Sequence, residues 1–432
     1  MDTIIALSTP PTLSAIAIVR LSGKESLQLV KEIFPPFNKE EVKPRYMYYG
    51  VLDTGKIKDD CMCVYFRAPS SYTGEDMVEI NCHGSVAITE SIIEYFIEKG
   101  VRMAEKGELT KKAFVNGKMD LTQSEAVIDL INAQSEAQAR SAYSQLTGSL
   151  YKRISALQKR IVTAIAKIEV SLDYPEEEIE ETTKEESRAE ICSIRDEINA
   201  LKNTYNSGKI LREGVKIAIV GKPNVGKSRI LNALLGYERA IVTDIEGTTR
   251  DTLVESYQYN GIKFIVVDTA GIRKTEDTVE KIGVSLALRE AKECDVLLHI
   301  AEAGAEFENV ETTAKVVYVE NKTDKMVAKR DDSVKVSALT GEGIEDLKKR
   351  VYDVACKNVT VGESRINNLR HLNAVISALG NVERALENLD FVTLDLISSD
   401  LNQAYRALGS ITGITSEDEI VGEIFSKFCV GK

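Results

Sequence analysis

The chain of 432 residues is short of several features that would each have fixed its class. Its seven cysteines, Cys61, Cys63, Cys82, Cys192, Cys294, Cys356 and Cys429, have no paired C-x-x-C spacing and fall mostly in apolar strand-like or helix-like segments. Neither a disulfide framework nor a zinc site is indicated, and a reducing, cytoplasmic compartment is expected. No run approaches the roughly twenty apolar residues of a membrane span. Met1-Asp2-Thr3 does not open a basic, then apolar, leader, so no membrane association is expected. Positive charge is also scarce: 55 Lys and Arg against 67 Asp and Glu leave a net charge of −12. Such a chain does not neutralise nucleic-acid phosphates non-specifically, so an RNA must meet a local patch or a surface supplied by a partner protein.

What is present is an ordinary globular composition, 43% hydrophobic and 28% charged, with length for about three domains. Residues 1–118 alternate short β-like runs (Thr3 to Ser8, Ala15 to Leu21, Cys61 to Phe66, Met77 to Cys82) with helical stretches, which is an α+β pattern. From Leu121 to Leu172 apolar residues recur at helical spacing without proline, which predicts long packed helices. The charged stretch Glu176 to Arg188 is expected to form a solvated turn, with another helix from Ala189 toward Asn206. Helical pattern resumes from Ile366. The simplest division is an N-terminal module at 1–118, a helical domain from 119–209 with 361–432, and a third domain at 210–360 inserted between its halves.

The insertion carries the chemistry. Gly221-Lys222-Pro223-Asn224-Val225-Gly226-Lys227-Ser228 follows an apolar strand-like run and precedes a helix-patterned one. Its glycines let successive N–H groups face phosphate oxygens, with Asn224, Val225, Gly226 and Arg229 around the phosphates, Lys227 neutralising charge and the Ser228 hydroxyl on Mg²⁺. Asp268-Thr269-Ala270-Gly271 ends a second apolar run, where a carboxylate holds Mg²⁺ through water and a glycine amide lies beside the γ-phosphate. Asn321-Lys322-Thr323-Asp324 follows Val316-Val317-Tyr318-Val319, and an aspartate there accepts from both N1–H and the amine of guanine. Ser337-Ala338 adds a backbone N–H for the guanine oxygen. The order of these segments specifies GTP rather than ATP.

Between the loop and the second strand, Thr243, Asp244, Ile245, Glu246, Gly247, Thr248, Thr249 and Arg250 form a polar segment with the character of a first switch, in which Thr249 is the second hydroxyl ligand of Mg²⁺. Ile272 stands where many signalling GTPases place a glutamine that orients water, so hydrolysis must use other groups. Asn224 with Thr243, Ile245 and Thr248 offers oxygens for K⁺, a cation that spreads developing charge. Glu280 has two readings, a group that orients water through a second water and an acid stabilised by a helix dipole. Arg250 and Lys227 are the cationic catalytic candidates. Asn260-Gly261 between strand-like runs predicts a tight hairpin.

Beyond these motifs the whole chain resembles the bacterial tRNA-modification GTPase family called MnmE or TrmE. The resemblance rests on Asp2-Thr3-Ile4-Ile5-Ala6 with Thr9-Pro10-Pro11, Ile18-Val19-Arg20-Leu21-Ser22-Gly23, Tyr72-Thr73-Gly74-Glu75-Asp76 with Glu79 and His83-Gly84, and Ala113 through Leu121 with Ala126. Asp173-Tyr174-Pro175-Glu176-Glu177 and the terminal Phe428-Cys429-Val430-Gly431-Lys432 extend it to the C-terminal end. The resemblance implies a multidomain α/β and α protein, with an α+β folate-binding and dimerisation module, a helical domain of two segments and an inserted Ras-like P-loop GTPase.

It further implies GTP hydrolysis coupled to a carboxymethylaminomethyl-type modification at C5 of the tRNA wobble uridine, with a tetrahydrofolate derivative (5-formyl or methylene) as one-carbon donor. It implies a homodimer through the N-terminal modules and a heterotetramer with the FAD-binding partner MnmG. Arg20, Glu79, Lys118 and Lys432 are the implied folate residues; a carboxylate suits the amide-like edge of a pterin, and cations suit carbonyls and a glutamate tail. From the residues alone these are an ordinary strand-edge arginine, a solvent-facing glutamate and a turn lysine. Cys429 is either a nucleophile beside the folate-borne carbon or a plain apolar cysteine. His83 is expected to be structural.

Three features depart from the family pattern. Thr12-Leu13-Ser14-Ala15 replaces a glycine-rich stretch, Arg229 replaces a small residue, and Ala303-Gly304 to Thr313 is a short connection. Two other classes compete with the modification reading: a ribosome-assembly GTPase switch that modifies nothing, and a folate enzyme with a regulatory nucleotide domain. A pure switch has no use for Arg20, Glu79, Lys118 and Cys429.

Overall fold

The structure, a computed structural model, describes residues 2–39, 41–173, 177–236, 255–267, 294–357, 359, 365–391, 393–415 and 418–431. The chain divides into two compact units, one of residues 1–128, 145–194 and 377–432, the other of 129–144 and 195–376.

In the first unit, strands β1 (Ile4–Leu7), β2 (Ser14–Ser22), β3 (Met47–Asp53), β4 (Lys58–Phe66), β5 (Met77–Gly84) and β6 (Arg102–Met103) form one sheet in the order β3-β4-β5-β2-β1-β6. All neighbours are antiparallel except β1 and β6. Apolar residues at alternate positions, such as Val19 and Leu21 on β2 and Val78 and Ile80 on β5, turn to one face of the sheet. There they meet Val30, Ile33, Ile92 and Phe96 from helices α1 (Ser26–Ile33) and α2 (Val86–Glu98). Strand β3 and the short β6 are additions to the strands expected from sequence. A half-exposed edge strand such as Met47–Asp53, with Tyr49 67% exposed, carries a weak apolar signal.

Helices α3 (Glu108–Val115), α4 (Leu121–Ile131), α5 (Glu136–Leu146), α6 (Ser149–Asp173) and α7 (Glu177–Asn203) follow. The predicted long helices from Leu121 are present, broken at 132–135 and 147–148. The charged stretch to Arg188 is helical, contrary to the solvated turn expected from its charge, because Glu and Lys favour helix and acids at a helix N-terminus are stabilised by its dipole. After α8 (Tyr205–Glu213) come the elements of the second unit's sheet, then α10 (Ile344–Cys356), α11 (Leu369–Asn388), α12 (Leu394–Thr412) and α13 (Asp418–Ser426). Helices α6 and α12 bury matching stripes, Ile154, Leu157, Ile161 and Ile168 against Ile397, Leu401, Ala404 and Leu408. Among the described residues no helix is long and apolar enough to cross a membrane.

The second unit holds a sheet in the order β12-β11-β10-β7-β9-β8, made of β7 (Val215–Val220), β8 (Glu255–Tyr259), β9 (Ile262–Val267), β10 (Val296–Glu302), β11 (Lys315–Asn321) and β12 (Val334–Lys335). Only β8 runs antiparallel, to β9. Their tight turn has Asn260 and Gly261 at φ 48° and 77°, the hairpin geometry expected from the Asn-Gly pair. Helix α9 (Lys227–Leu235) starts directly after the loop that follows β7. Val215, Ile217 and Ile219 of β7, Leu298 and Ile300 of β10 and Ile230 and Leu234 of α9 share one buried core, which fixes the loop against the C-terminal strand ends.

Candidate functional site

The phosphate loop is shaped by two close approaches. A Cβ on Gly221, at φ 150°, would lie 2.1 Å from the Ile300 carbonyl oxygen, and one on Gly226, at φ 96°, would lie 2.3 Å from Asn321 Nδ2. Neither position admits a side chain. Gly226 is also the N-cap of α9; the Arg229 amide already donates to the Gly226 carbonyl at 3.1 Å, so it is the Lys227 and Ser228 amides of the first turn that suit an anion. Lys227 Nζ donates to the carbonyls of Gly221 at 2.7 Å and Lys222 at 2.8 Å, which lays its charge across the loop. Asn224 sits at the loop's tip with a left-handed φ of 64°.

The base end is bonded into place by the same elements. Asn321, 2% exposed at the end of β11, donates from Nδ2 to the Val225 carbonyl at 2.8 Å and accepts on Oδ1 from the Ala338 amide at 3.1 Å. It thereby ties the phosphate loop to the segment after β12. Ser337 Oγ donates to Asp324 Oδ1 at 2.7 Å, which orients that carboxylate. The expected Ala338 amide is thus engaged by Asn321, and a guanine oxygen would have to share it. Lys322, at φ 66°, carries its ammonium to Glu302. A cavity of about 510 Å³ opens between these groups, lined by Asn224, Gly226, Lys227, Ser228, Arg229, Asn321, Lys322, Asp324 and Ala338 among others. That size and the basic, glycine-lined wall suit a nucleotide.

Thr243, Asp244, Ile245, Glu246, Gly247, Thr248, Thr249, Arg250, Asp268, Thr269, Ala270, Gly271, Ile272, Glu280 and Lys432 lie outside the described residues. Of the expected Mg²⁺ and K⁺ ligands, Ser228 and Asn224 are therefore described, and both line the cavity. Among the described residues no group of three or more His, Cys, Asp or Glu side chains is placed to hold a metal.

In the first unit, Arg20 of β2 and Glu79 of β5 face each other in register, with Nε to Oε1 at 2.7 Å and each side chain about one-fifth exposed. Among the described residues no donor is placed on the other oxygen of Glu79. Lys118 Nζ donates to the Pro69 carbonyl at 2.9 Å, and Asn116 Nδ2 to the Thr73 carbonyl at 2.7 Å, so the turn before α4 packs on the 69–75 loop. Among the described residues no hydrogen bond or ion pair joins Lys118 to the Arg20–Glu79 pair. Cys429 is exposed, while Val430 bridges Lys106 and Ser8 Oγ donates to the Gly431 carbonyl at 3.0 Å. His83 pairs through Nδ1 with buried Asp59 at 2.6 Å, the structural role expected.

Sequence reasoning missed a polar cluster beneath the same loop. Lys112 Nζ meets Glu75 Oε2 at 2.8 Å, and the fully buried Ser22 donates to that oxygen at 2.9 Å and touches Thr73 Oγ1 at 2.8 Å. In the sequence only the run Tyr72-Thr73-Gly74-Glu75-Asp76 hints at it. Burial drives the neighbouring thiols of Cys61 and Cys63 upward, and that of Cys82 to about 11, so these cysteines stay protonated core groups.

A family model for the MnmE helical domain matches residues 121–429, and one for the GTP-binding protein TrmE N-terminus matches 3–118. A protein of Carboxydothermus hydrogenoformans named tRNA modification GTPase MnmE is 43% identical over 100% of this chain and 99% of its own. One of the same name from Aquifex aeolicus is 42% identical over the full length of both. Among solved structures, the FeoB G-domain of Methanococcus jannaschii is 28% identical over 33% of this chain and 97% of its own, with a TM-score of 0.25. At that score nothing further rests on the likeness.

Proposed function

Since the chain belongs to the MnmE family of tRNA modification GTPases, we propose that it hydrolyses GTP to drive a carboxymethylaminomethyl modification at C5 of the tRNA wobble uridine. The observation that carries the GTP half is the bonding of Asn321 to both Val225 and Ala338, which joins phosphate loop and base pocket into one site. In this reading the domain division is 1–118, 119–209 with 361–432, and 210–360. The protein works in the cytoplasm with an FAD-containing MnmG partner as a heterotetramer.

Each residue has a defined task. Amides after Gly226 hold phosphate, and Lys227 exchanges its two loop carbonyls for phosphate oxygens, a substitution that costs little because those carbonyls remain solvated. Ser228 and Thr249 are the hydroxyls for Mg²⁺, and Asn224, Thr243, Ile245 and Thr248 the oxygens for K⁺; both cations neutralise charge on the phosphates. Asp324 accepts from guanine. Glu280 orients water and Arg250 faces the developing charge. Thr249 and the segment around it are held only while the γ-phosphate is present, which couples hydrolysis to rearrangement.

The tetrahydrofolate donor is assigned to Arg20, Glu79, Lys118 and Lys432, with Cys429 near it. The partly exposed Arg20–Glu79 pair fits a pterin edge, since the second oxygen of Glu79 can accept from ring donors while Arg20 holds the first. A homodimer is supported by an apolar sheet face in the same module: Met47, Tyr49 and Val51 of β3, Met62 of β4 and Ile16 of β2 are 45–67% exposed. A second copy burying these side chains would remove them from water.

The test is threefold. Hydrolysis by the full chain should prefer GTP over ATP and proceed faster in K⁺ than in Na⁺. A deletion strain should lose the modified wobble uridine by nucleoside mass spectrometry. Intact anticodon modification in that strain, with GTP hydrolysis retained in vitro, would leave the ribosome-assembly type of switch as the better reading.

A further inference from the structure

Parallel neighbours in a sheet are ordinarily linked by a crossover helix. Here neither parallel link at the guanine end has one. Residues 303–314, between β10 and β11, and 322–333, between β11 and β12, contain no helix. The second of these loops carries Asp324, so something other than helix packing must hold it.

One side chain bonds to both loops. Glu320, 1% exposed and immediately before Asn321, accepts on Oε1 from the amides of Gly304 and Lys329, each at 2.9 Å. On Oε2 it accepts from the Arg330 amide at 3.0 Å and from Ser333 Oγ at 2.5 Å. The 322–333 loop therefore leaves β11 beside residue 320 and is returned to the side chain of the same residue. Gly304 packs against the Val327 carbonyl, 3.2 Å from where a Cβ would lie, so the two loops also touch each other. Arg330 stacks over the Tyr318 ring at 3.5 Å, closing the outer side. Burial favours the neutral acid, but the Ser333 hydroxyl and the three amides outweigh it and hold the carboxyl near 2, so the clamp is charged.

We propose that Glu320 is a positioning residue for guanine recognition: by gripping Gly304, Lys329, Arg330 and Ser333 it replaces the missing crossover helices and holds Asp324 where it reads the base. This rests on the GTP reading of the site and adds a determinant outside the nucleotide cavity. A loop closed by charge-assisted bonds at one point has few alternative conformers, which is what a two-donor contact to a base edge requires. Glutamine in place of Glu320 keeps the shape but offers an amide where a carboxylate oxygen accepts two bonds.

The experiment is a binding titration of the full chain with GDP and with inosine diphosphate, which lacks the exocyclic amine that Asp324 reads. In Glu320→Gln we expect GDP affinity to fall about tenfold and the GDP-to-inosine-diphosphate ratio to fall at least about threefold. A ratio equal to that of the wild type, with both nucleotides unaffected or weakened alike, overturns the proposal and leaves Glu320 a general staple. If Glu320→Gln does not fold, Ser333→Ala decides. Removal of one of the four donors should lower the ratio about twofold, and an unchanged ratio is the overturning result. Wild-type protein that fails to prefer GDP over ADP would instead sink the guanine reading itself, which the control separates from the clamp.

Discussion

The two candidate ligand sites are assembled by different means. At the nucleotide site the side chains that define the ligand are tied to main chain and short hydroxyls: Asn321 to Val225 and Ala338, Lys227 to Gly221 and Lys222, Asp324 to Ser337. At the N-terminal site the charged groups are tied chiefly to each other, Arg20 to Glu79 and Lys112 to Glu75. A group held by backbone is oriented before a ligand arrives and can exchange one acceptor for another. A group held by its opposite charge can release that charge only if the ligand replaces it. The first site is therefore expected to answer to single substitutions through binding and hydrolysis, the second through stability as well.

The largest effect should come from Lys227→Ala, which removes the one ammonium that crosses the phosphate loop; GTP hydrolysis should fall by at least about 100-fold in a phosphate-release assay. Asp324→Asn comes next, with GDP binding about 10- to 100-fold weaker by calorimetry. A loss below threefold in either variant would mean that the pre-bonded groups are not the ones that meet the nucleotide.

The N-terminal pair should behave otherwise. Arg20→Ala leaves Glu79 with its charge about four-fifths shielded and no cation, which should cost about 1–2 kcal/mol in denaturant unfolding, between the values for exposed and buried pairs. Reduced-folate binding should be lost in the same protein. If stability is untouched while folate binding disappears, Arg20 belongs to the ligand rather than to Glu79, and the contrast between the sites is weaker than drawn.

That contrast also explains what was legible in the sequence. The nucleotide site is built from contiguous runs because a strand end, a tight loop and a helix start must follow one another to aim backbone at phosphate. Gly221 through Ser228 and Asn321 through Asp324 could therefore be placed residue by residue. The Asn260-Gly261 hairpin was equally plain, since both residues must take positive φ. Arg20 and Glu79 lie 59 positions apart and meet through strand register, which periodicity does not reveal. Their assignment came from resemblance. Glu320 stayed invisible for another reason: a buried carboxylate satisfied by amides of 304, 329 and 330 has no signature in its own neighbourhood. The charged stretch before Arg188 misled because a solvated helix and a solvated turn share a composition.

The smallest effect is a titration, and it sets the two units apart by sign. The chain has three histidines. Hydrogen bonding and attraction from Asp59 raise the pKa of His83, whereas burial lowers that of His299, against the pull of Glu308 and with the push of Arg330. For His83, with the folded value above the unfolded one, the stabilising contribution is complete below about pH 6.5 and is lost as pH rises through the folded value. For His299 the folded value lies below the unfolded one, so its contribution is present above about pH 6.5 and is lost as pH falls toward the folded value. Proton NMR of the imidazoles should therefore show midpoints on opposite sides of about 6.5. Asp59→Asn should bring the His83 midpoint down and leave that of His299 in place. Midpoints that coincide would mean that the Asp59 contact, 2.6 Å in the structure, does not persist in solution, and that side-chain pairs in the N-terminal module are looser than the backbone-anchored groups of the nucleotide site.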